Sequence, residues 1–137
     1  MDPRCGLAST PLHRAAYVGN CELIQVLLDY GLDVNARNAD GETPLVHATY
    51  GQPKPVRLLL DHGADPNAQA YSGGQFSLTT PLHRAIEFGK IETARLLLER
   101  GASVEVKDWA GRTPLDVASG EQREEIIKFL SEHRAKR

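Results

Sequence analysis

Apolar residues along this 137-residue chain recur at helical spacing, in short blocks that come in pairs. Leu12, Ala15 and Ala16 share one face of a helix predicted from about Pro11 to Val18, and Arg14, Tyr17 and Val18 share the other. Gly19 suits the left-handed stop of that helix. A second helix, from about Cys21 to Tyr30, is expected to bury Leu23, Ile24, Leu27 and Leu28 before Gly31 ends it. The pattern returns with Leu82, Ala85 and Ile86 facing inward and Arg84, Glu87 and Phe88 outward, followed by Ala94, Leu97 and Leu98. A last helix, about Glu124 to Ser131, buries Ile126, Ile127 and Leu130 and keeps Glu124, Glu125 and Lys128 on its other face.

Each pair opens on the same four-residue punctuation. Thr10-Pro11-Leu12-His13 is repeated intact as Thr80-Pro81-Leu82-His83, and altered as Thr43-Pro44-Leu45-Val46 and Thr113-Pro114-Leu115-Asp116. The intervals from Thr10 to Thr43 and from Thr80 to Thr113 are equal, and the one from Thr43 to Thr80 is slightly longer. Threonine caps a free N–H of the first turn, proline occupies a position whose N–H would have no helical partner, and leucine begins the apolar face. A period of about 33 that opens on Thr-Pro-Leu-His resembles the ankyrin-repeat family. The resemblance covers nearly the whole chain. It implies an all-α, ankyrin-repeat solenoid of stacked helix-turn-helix pairs with β-hairpin loops, in one domain over 1–137, with repeats at about 5–37, 38–69, 70–107 and 108–137. In that family the motif histidine ties neighbouring repeats by hydrogen bonds. The role carries to His13 and His83, but not to His47, which sits one place late.

Two departures break the regular period. The span from motif threonine to the glycine after the second helix is one residue shorter in the second repeat (Thr43 to Gly63) than in the first (Thr10 to Gly31) and third (Thr80 to Gly101). The missing residue falls before Gly51, so the helix after Thr43 should be short or distorted. Pro53 and Pro55 suit the start of the helix that follows. The stretch from Gly63 to Thr80 is five residues longer than its counterparts, Gly31 to Thr43 and Gly101 to Thr113. The extra five residues fall in Ala70–Thr79, where Gly73-Gly74 signals a hairpin, so this finger should be longer than its neighbours.

Bulk chemistry narrows the function. A formal net charge of −2 argues against a phosphate-driven nucleic-acid binder. No apolar run approaches the roughly 18 residues of a membrane span, and the first residues do not read as a signal peptide. Cys5 and Cys21 form neither a disulfide framework nor a zinc pattern, which points to free thiols inside a reducing cell, in cytoplasm or nucleus. No phosphate loop, nucleophile elbow or paired-histidine helix is present, so no catalytic residue, metal or cofactor is expected. The charged last helix is what a terminal cap needs, and the domain is expected to be complete and monomeric.

The remaining signal is aromatic. Tyr17, Tyr50 and Phe88 fall on the outward face of first helices, Tyr71 and Phe76 in the long finger, and Trp109 at the last turn. Six of the chain's eight aromatics thus share one predicted surface. Their bland alternative is packing between neighbouring fingers, with Trp109 the first candidate. As a binding surface, they would sit beside the charges Asp40, Glu42, Glu87 and Arg112 and hold another protein in the family's concave groove, with fingers supplying specificity. Asn35 and Asn67 occupy the position that asparagine hydroxylases modify in some ankyrin proteins, or are simply hydrogen-bonding turn residues. Four repeats with a shortened first helix in the second one, together with Leu60-Asp61-His62-Gly63-Ala64-Asp65-Pro66-Asn67, are also similar to the inhibitors of cyclin-dependent kinases. A scaffold with no dedicated ligand is the remaining alternative.

Overall fold

The computed structural model describes residues 10–38, 41–71, 78–120 and 124–135. Its helices are α1 (Pro11–Val18), α2 (Cys21–Asp29), α3 (Pro44–Ala48), α4 (Pro53–Asp61), α5 (Pro81–Glu87), α6 (Ile91–Glu99), α7 (Pro114–Gly120) and α8 (Glu124–Ala135). Two short strands, β1 (Ala70–Tyr71) and β2 (Leu78–Thr79), lie between α4 and α5.

The helices begin and end where the local chemistry dictates. The Thr10 and Thr80 hydroxyls accept the backbone N–H of His13 and His83, each at 3.3 Å, with proline at the first helical position. In the fourth pair the cap is reciprocal. Thr113 Oγ1 accepts the Asp116 N–H at 3.2 Å, and the Asp116 carboxylate accepts the Thr113 N–H at 3.0 Å. Gly19 closes α1 at φ +81°, a conformation that disfavours any side chain, and its N–H reaches the Ala15 and Ala16 carbonyls. The missing residue before Gly51 leaves α3 with five residues, where α1 has eight and α5 seven.

First helices stack on first helices (α1, α3, α5, α7) and second on second (α2, α4, α6, α8), which makes two layers with the core between them. Leu12, Leu45 and Leu82, each two residues after a motif threonine, are at most 1% exposed. Ala15, Ala48, Ala85 and Ala118 are buried beside them, and their small side chains let neighbouring first helices approach. Ile24, Val56, Ala94 and Ile126 close the core from the second layer. Leu23 departs from expectation. It is 42% exposed, because the preceding second helix that buries its counterparts Pro55 and Thr93 is absent from the described residues. Leu27 and Leu28 are half-buried for the same reason. Arg84, expected to face outward, is buried with its guanidinium on polar partners. The last helix continues one turn past its expected end, to Ala135.

The long finger starts as an antiparallel ladder, Ala70 opposite Thr79 and Tyr71 opposite Leu78. At the other two turns the described residues form no strand. The chain closes with paired backbone bonds, Asn38 N–H to Glu42 O and Gly41 N–H to Asn38 O in one, and Asp108 N–H to Arg112 O and Gly111 N–H to Asp108 O in the other.

Polar ties lock neighbouring pairs. His13 Nε2 donates to the Glu42 carbonyl at 2.6 Å, and His83 Nε2 to the Arg112 carbonyl at 2.9 Å. A carbonyl carries no proton, so Nε2 holds it. The neutral ring then accepts at Nδ1 from the Thr10 or Thr80 hydroxyl, each at 2.7 Å. Asn35 donates to the Gly63 carbonyl at 3.2 Å and accepts the Asp65 N–H at 2.8 Å. Asn67 repeats this one pair further on, with the Gly101 carbonyl at 3.1 Å and the Ser103 N–H at 2.7 Å.

The second pair lacks the histidine. Val46 takes its place, and the buried Thr43 hydroxyl has no hydrogen-bond partner among the described residues. An unmade bond there costs desolvation with no return. Thr43→Val should therefore leave stability within about 0.5 kcal/mol of the parent or raise it. Thr80→Val removes a cap and the His83 partner and should cost about 1–2 kcal/mol. Urea unfolding of both variants checks this, and equal losses would contradict it.

Burial holds the His13 and His83 imidazoles below their usual pKa, with the carbonyl bonds opposing it only in part. The unfolded chain titrates near 6.5, so below that pH it binds protons that the folded state refuses. This contribution to stability is complete above about pH 6.5 and declines as pH falls toward the lowered native values. The urea midpoint should fall between about pH 7.5 and about pH 5.5, and the slope should flatten in the His13→Gln/His83→Gln variant. An unchanged slope in that variant would refute the assignment.

Candidate functional site

Three of the aromatic residues form a continuous row across the first layer. Tyr17 and Tyr50 each lie seven residues after a motif threonine, and Phe88 lies eight after Thr80, so the repeat itself aligns them. The Tyr17 and Tyr50 ring centroids are 6.0 Å apart and edge-on. Those of Tyr50 and Phe88 are 5.0 Å apart and tilted. Tyr17 is 61% exposed and Phe88 48%, while Tyr50 between them is half-buried.

Beneath Tyr50 lies a polar cluster. The Arg84 guanidinium donates to the Tyr50 hydroxyl, sits 5.6 Å from that ring's centroid and lies 3.8 Å from the Glu42 carboxylate. Asn38 orients Glu42 from both ends, accepting its N–H at 3.0 Å and donating to its carboxylate at 3.5 Å. His47 stands 3.6 Å from the same carboxylate, with its ring 6.3 Å from Tyr17 and 5.4 Å from His13. Burial would raise the Glu42 pKa, but the hydrogen bond and charge of His47, the Asn38 amide and the Arg84 charge outweigh it and hold the group lowered. Burial raises the Tyr50 phenol, with Glu42 and Glu87 adding to it against Arg84. Tyr50 therefore presents a neutral ring fixed from below.

The last turn is held by a carboxylate at its centre. Asp108 accepts the Ala110 N–H at 3.0 Å and the Arg112 N–H at 2.9 Å, and its second oxygen takes the Arg112 guanidinium through Nε at 3.0 Å and Nη2 at 2.9 Å. Burial would raise Asp108, but the Arg112 backbone bond, the Arg112 side chain and the Ala110 N–H reverse that and leave it lowered. Arg112 also reaches Glu87, at 3.9 Å. Trp109 is 63% exposed at the tip of the turn.

The structure thus brings Tyr17, Glu42, Tyr50 and Phe88 together, and places Glu87 and Arg112 in the neighbouring ion pair beside Trp109. Asp40, Phe76 and the side chain of Tyr71 lie outside the described residues. Asn35 and Asn67 spend both ends of their amides on the next helix pair. Sequence reasoning missed the organising roles of Arg84, His47 and Asp108. One signal was available: His47 and Arg84 each sit four residues after a motif threonine, His47 three before Tyr50 and Arg84 four before Phe88, one helical turn below the row. Among the described residues no group of three or more His, Cys, Asp or Glu could hold a metal ion. No described helix is long and apolar enough to cross a membrane. What the arrangement offers is a shaped apolar and charged surface.

Known proteins resemble this chain in sequence. A profile of ankyrin repeats, in three copies, matches residues 1–70 and 73–136. The chain is 34% identical over 125 residues to mouse cyclin-dependent kinase 4 inhibitor B, covering 91% of this chain and 93% of that protein. It is 33% identical over 134 residues to human cyclin-dependent kinase inhibitor 2A, covering 95% of this chain and 83% of the relative. Mouse Rabankyrin-5 is 36% identical over 128 residues, which is 93% of this chain but 9% of that protein. Repeats of this kind are non-enzymatic modules that mediate protein–protein interaction. The matched profile, the stacked helix pairs and the histidine and asparagine ties agree: the chain belongs to the ankyrin-repeat family.

Proposed function

We propose that this chain holds a partner protein on the aromatic row of its first layer. Tyr17, Tyr50 and Phe88 form the centre of the contact, and Trp109, Tyr71 and Phe76 add to it. Asp40, Glu42, Glu87 and Arg112 set orientation and selectivity. The observation that carries this reading is the exposure of Tyr17 and Phe88 in direct contact with the half-buried Tyr50. Aromatic rings supply much of the binding energy of protein interfaces, and a row held rigid from below loses little freedom on binding. In this reading the chain acts inside the cell, in cytoplasm or nucleus, as a monomer with no catalytic step and no cofactor.

A second reading names the partner. The match spans 93% of mouse cyclin-dependent kinase 4 inhibitor B, and α3, the shortened helix on which the resemblance to such inhibitors rests, is five residues long. Both favour a cyclin-dependent kinase, bound and inhibited from outside its active site.

Binding to purified cyclin-dependent kinase 4, followed by interferometry alongside melting curves, tests both readings. Tyr17→Ala/Phe88→Ala and Trp109→Ala should each weaken binding by about 10-fold or more and leave the melting temperature unchanged, because those rings are exposed. Tyr50→Ala is a poorer probe, since it also strips Arg84 of a buried partner. Retained affinity with a lowered melting temperature would make the row a packing feature. A parent chain that does not bind the kinase would remove the second reading.

A further inference from the structure

The outer face of α2 is built like the face of an interior helix. On α4 and α6, the third residues, Pro55 and Thr93, are buried, and so are the seventh, Leu59 and Leu97. The preceding second helix lies against them, α2 on α4 and α4 on α6. The equivalent residues of α2 are Leu23 and Leu27. Leu23 is 42% exposed and its neighbour on the same stripe, Val26, 48%. The residue after each second helix also reaches back to the preceding pair: His62 meets Gln25 at 3.4 Å, and Arg100 meets Asp61 at 2.6 Å. On α2 that place belongs to Tyr30, which is 83% exposed. At the other end of the stack, α8 instead exposes Glu124, Glu125 and Lys128.

Leu23, Val26, Leu27 and Tyr30 follow the i, i+3, i+4, i+7 spacing of a helix-docking stripe. Its rim is acidic. Glu22, Asp29 and Asp33 flank it, and no Lys or Arg occurs from Cys21 to Ala36. A second copy of this chain laid on the stripe would set two acidic rims against each other. The leading residues 1–9 offer a single basic residue, Arg4, offset by Asp2.

We propose that α2 is a docking surface for an amphipathic helix of a partner protein, with an apolar stripe of matching spacing flanked by lysine or arginine. That helix lies along α2 in the place a preceding second helix takes on α4 and α6. The surface is separate from the aromatic row, and its use is independent of what that row binds.

The test is a titration of the isotopically labelled full chain with two synthetic helical peptides, followed by NMR and calorimetry. Both peptides carry leucine at i, i+3, i+4 and i+7, and one has lysine flanks where the other has glutamate. The lysine peptide should bind and shift α2 resonances, and the glutamate peptide should not. Leu23→Ser/Val26→Ser and Glu22→Lys/Asp29→Lys change exposed positions, and each should weaken the lysine peptide by about tenfold or more at an unchanged circular dichroism spectrum. Equal binding of both peptides, or shifts away from α2, would overturn the proposal. So would a dimer in sedimentation that Leu23→Ser/Val26→Ser abolishes, which would make a second copy the occupant. Binding that appears only after removal of residues 1–9 would assign the face to the chain's own leader and likewise overturn it.

Discussion

A helix of eight residues and one of nine cannot enclose a core between them. Each is amphipathic, and each pair leaves one side of its apolar surface open. The open side closes only when the next pair stacks on it, so burial in this protein is a property of neighbours. Leu59 and Leu97 show the consequence. They occupy the same place on α4 and α6 and are fully buried, while Leu27 on α2 is not. Stability is therefore distributed along the stack, and among the described residues the second helix with the most exposed apolar stripe is α2.

Apolar stacking fixes distance poorly, and polar ties supply the register. The two histidine relays run from a helix cap in one pair to a carbonyl in the next, and the asparagines repeat the linkage on the opposite layer. These groups are buried or tied at both ends, which removes them from the chemistry available to a partner. The proposed binding face uses what is left over, the outward positions of the first helices that take no part in the histidine and asparagine ties. Arg84 joins the two systems. It is buried like a core residue, yet its hydrogen bond to Tyr50 holds a ring in the exposed row.

Most of the fold was legible because its signals are local. Threonine, proline and glycine mark the helix boundaries, and the regular recurrence of the motif implies the stacking. The short α3 followed from one missing residue before Gly51. The environments of Leu23 and Arg84 were not legible, because they depend on what stands beside a helix and not on its own periodicity. Leu23 reads as core by spacing, and with no covering helix among the described residues it is exposed. Arg84 reads as surface by charge, and Tyr50 and Glu42, both from the preceding repeat, draw it in. The aromatic row itself was legible, since the repeat places Tyr17, Tyr50 and Phe88 at nearly equal offsets. The geometry beneath it, built from Asn38, His47 and Arg84, required the fold.

The account stands on one claim, that the exposed face of the first layer is where a partner protein sits. Site-specific photo-crosslinking tests this most directly. A photoreactive phenylalanine analogue would be placed in turn at Phe88, Trp109 and, as a control on the second layer, Glu92, which is exposed on α6. The account predicts crosslinks to the same partner protein from positions 88 and 109 and none from position 92. Crosslinks from position 92 alone would move the interface to the opposite layer and contradict it.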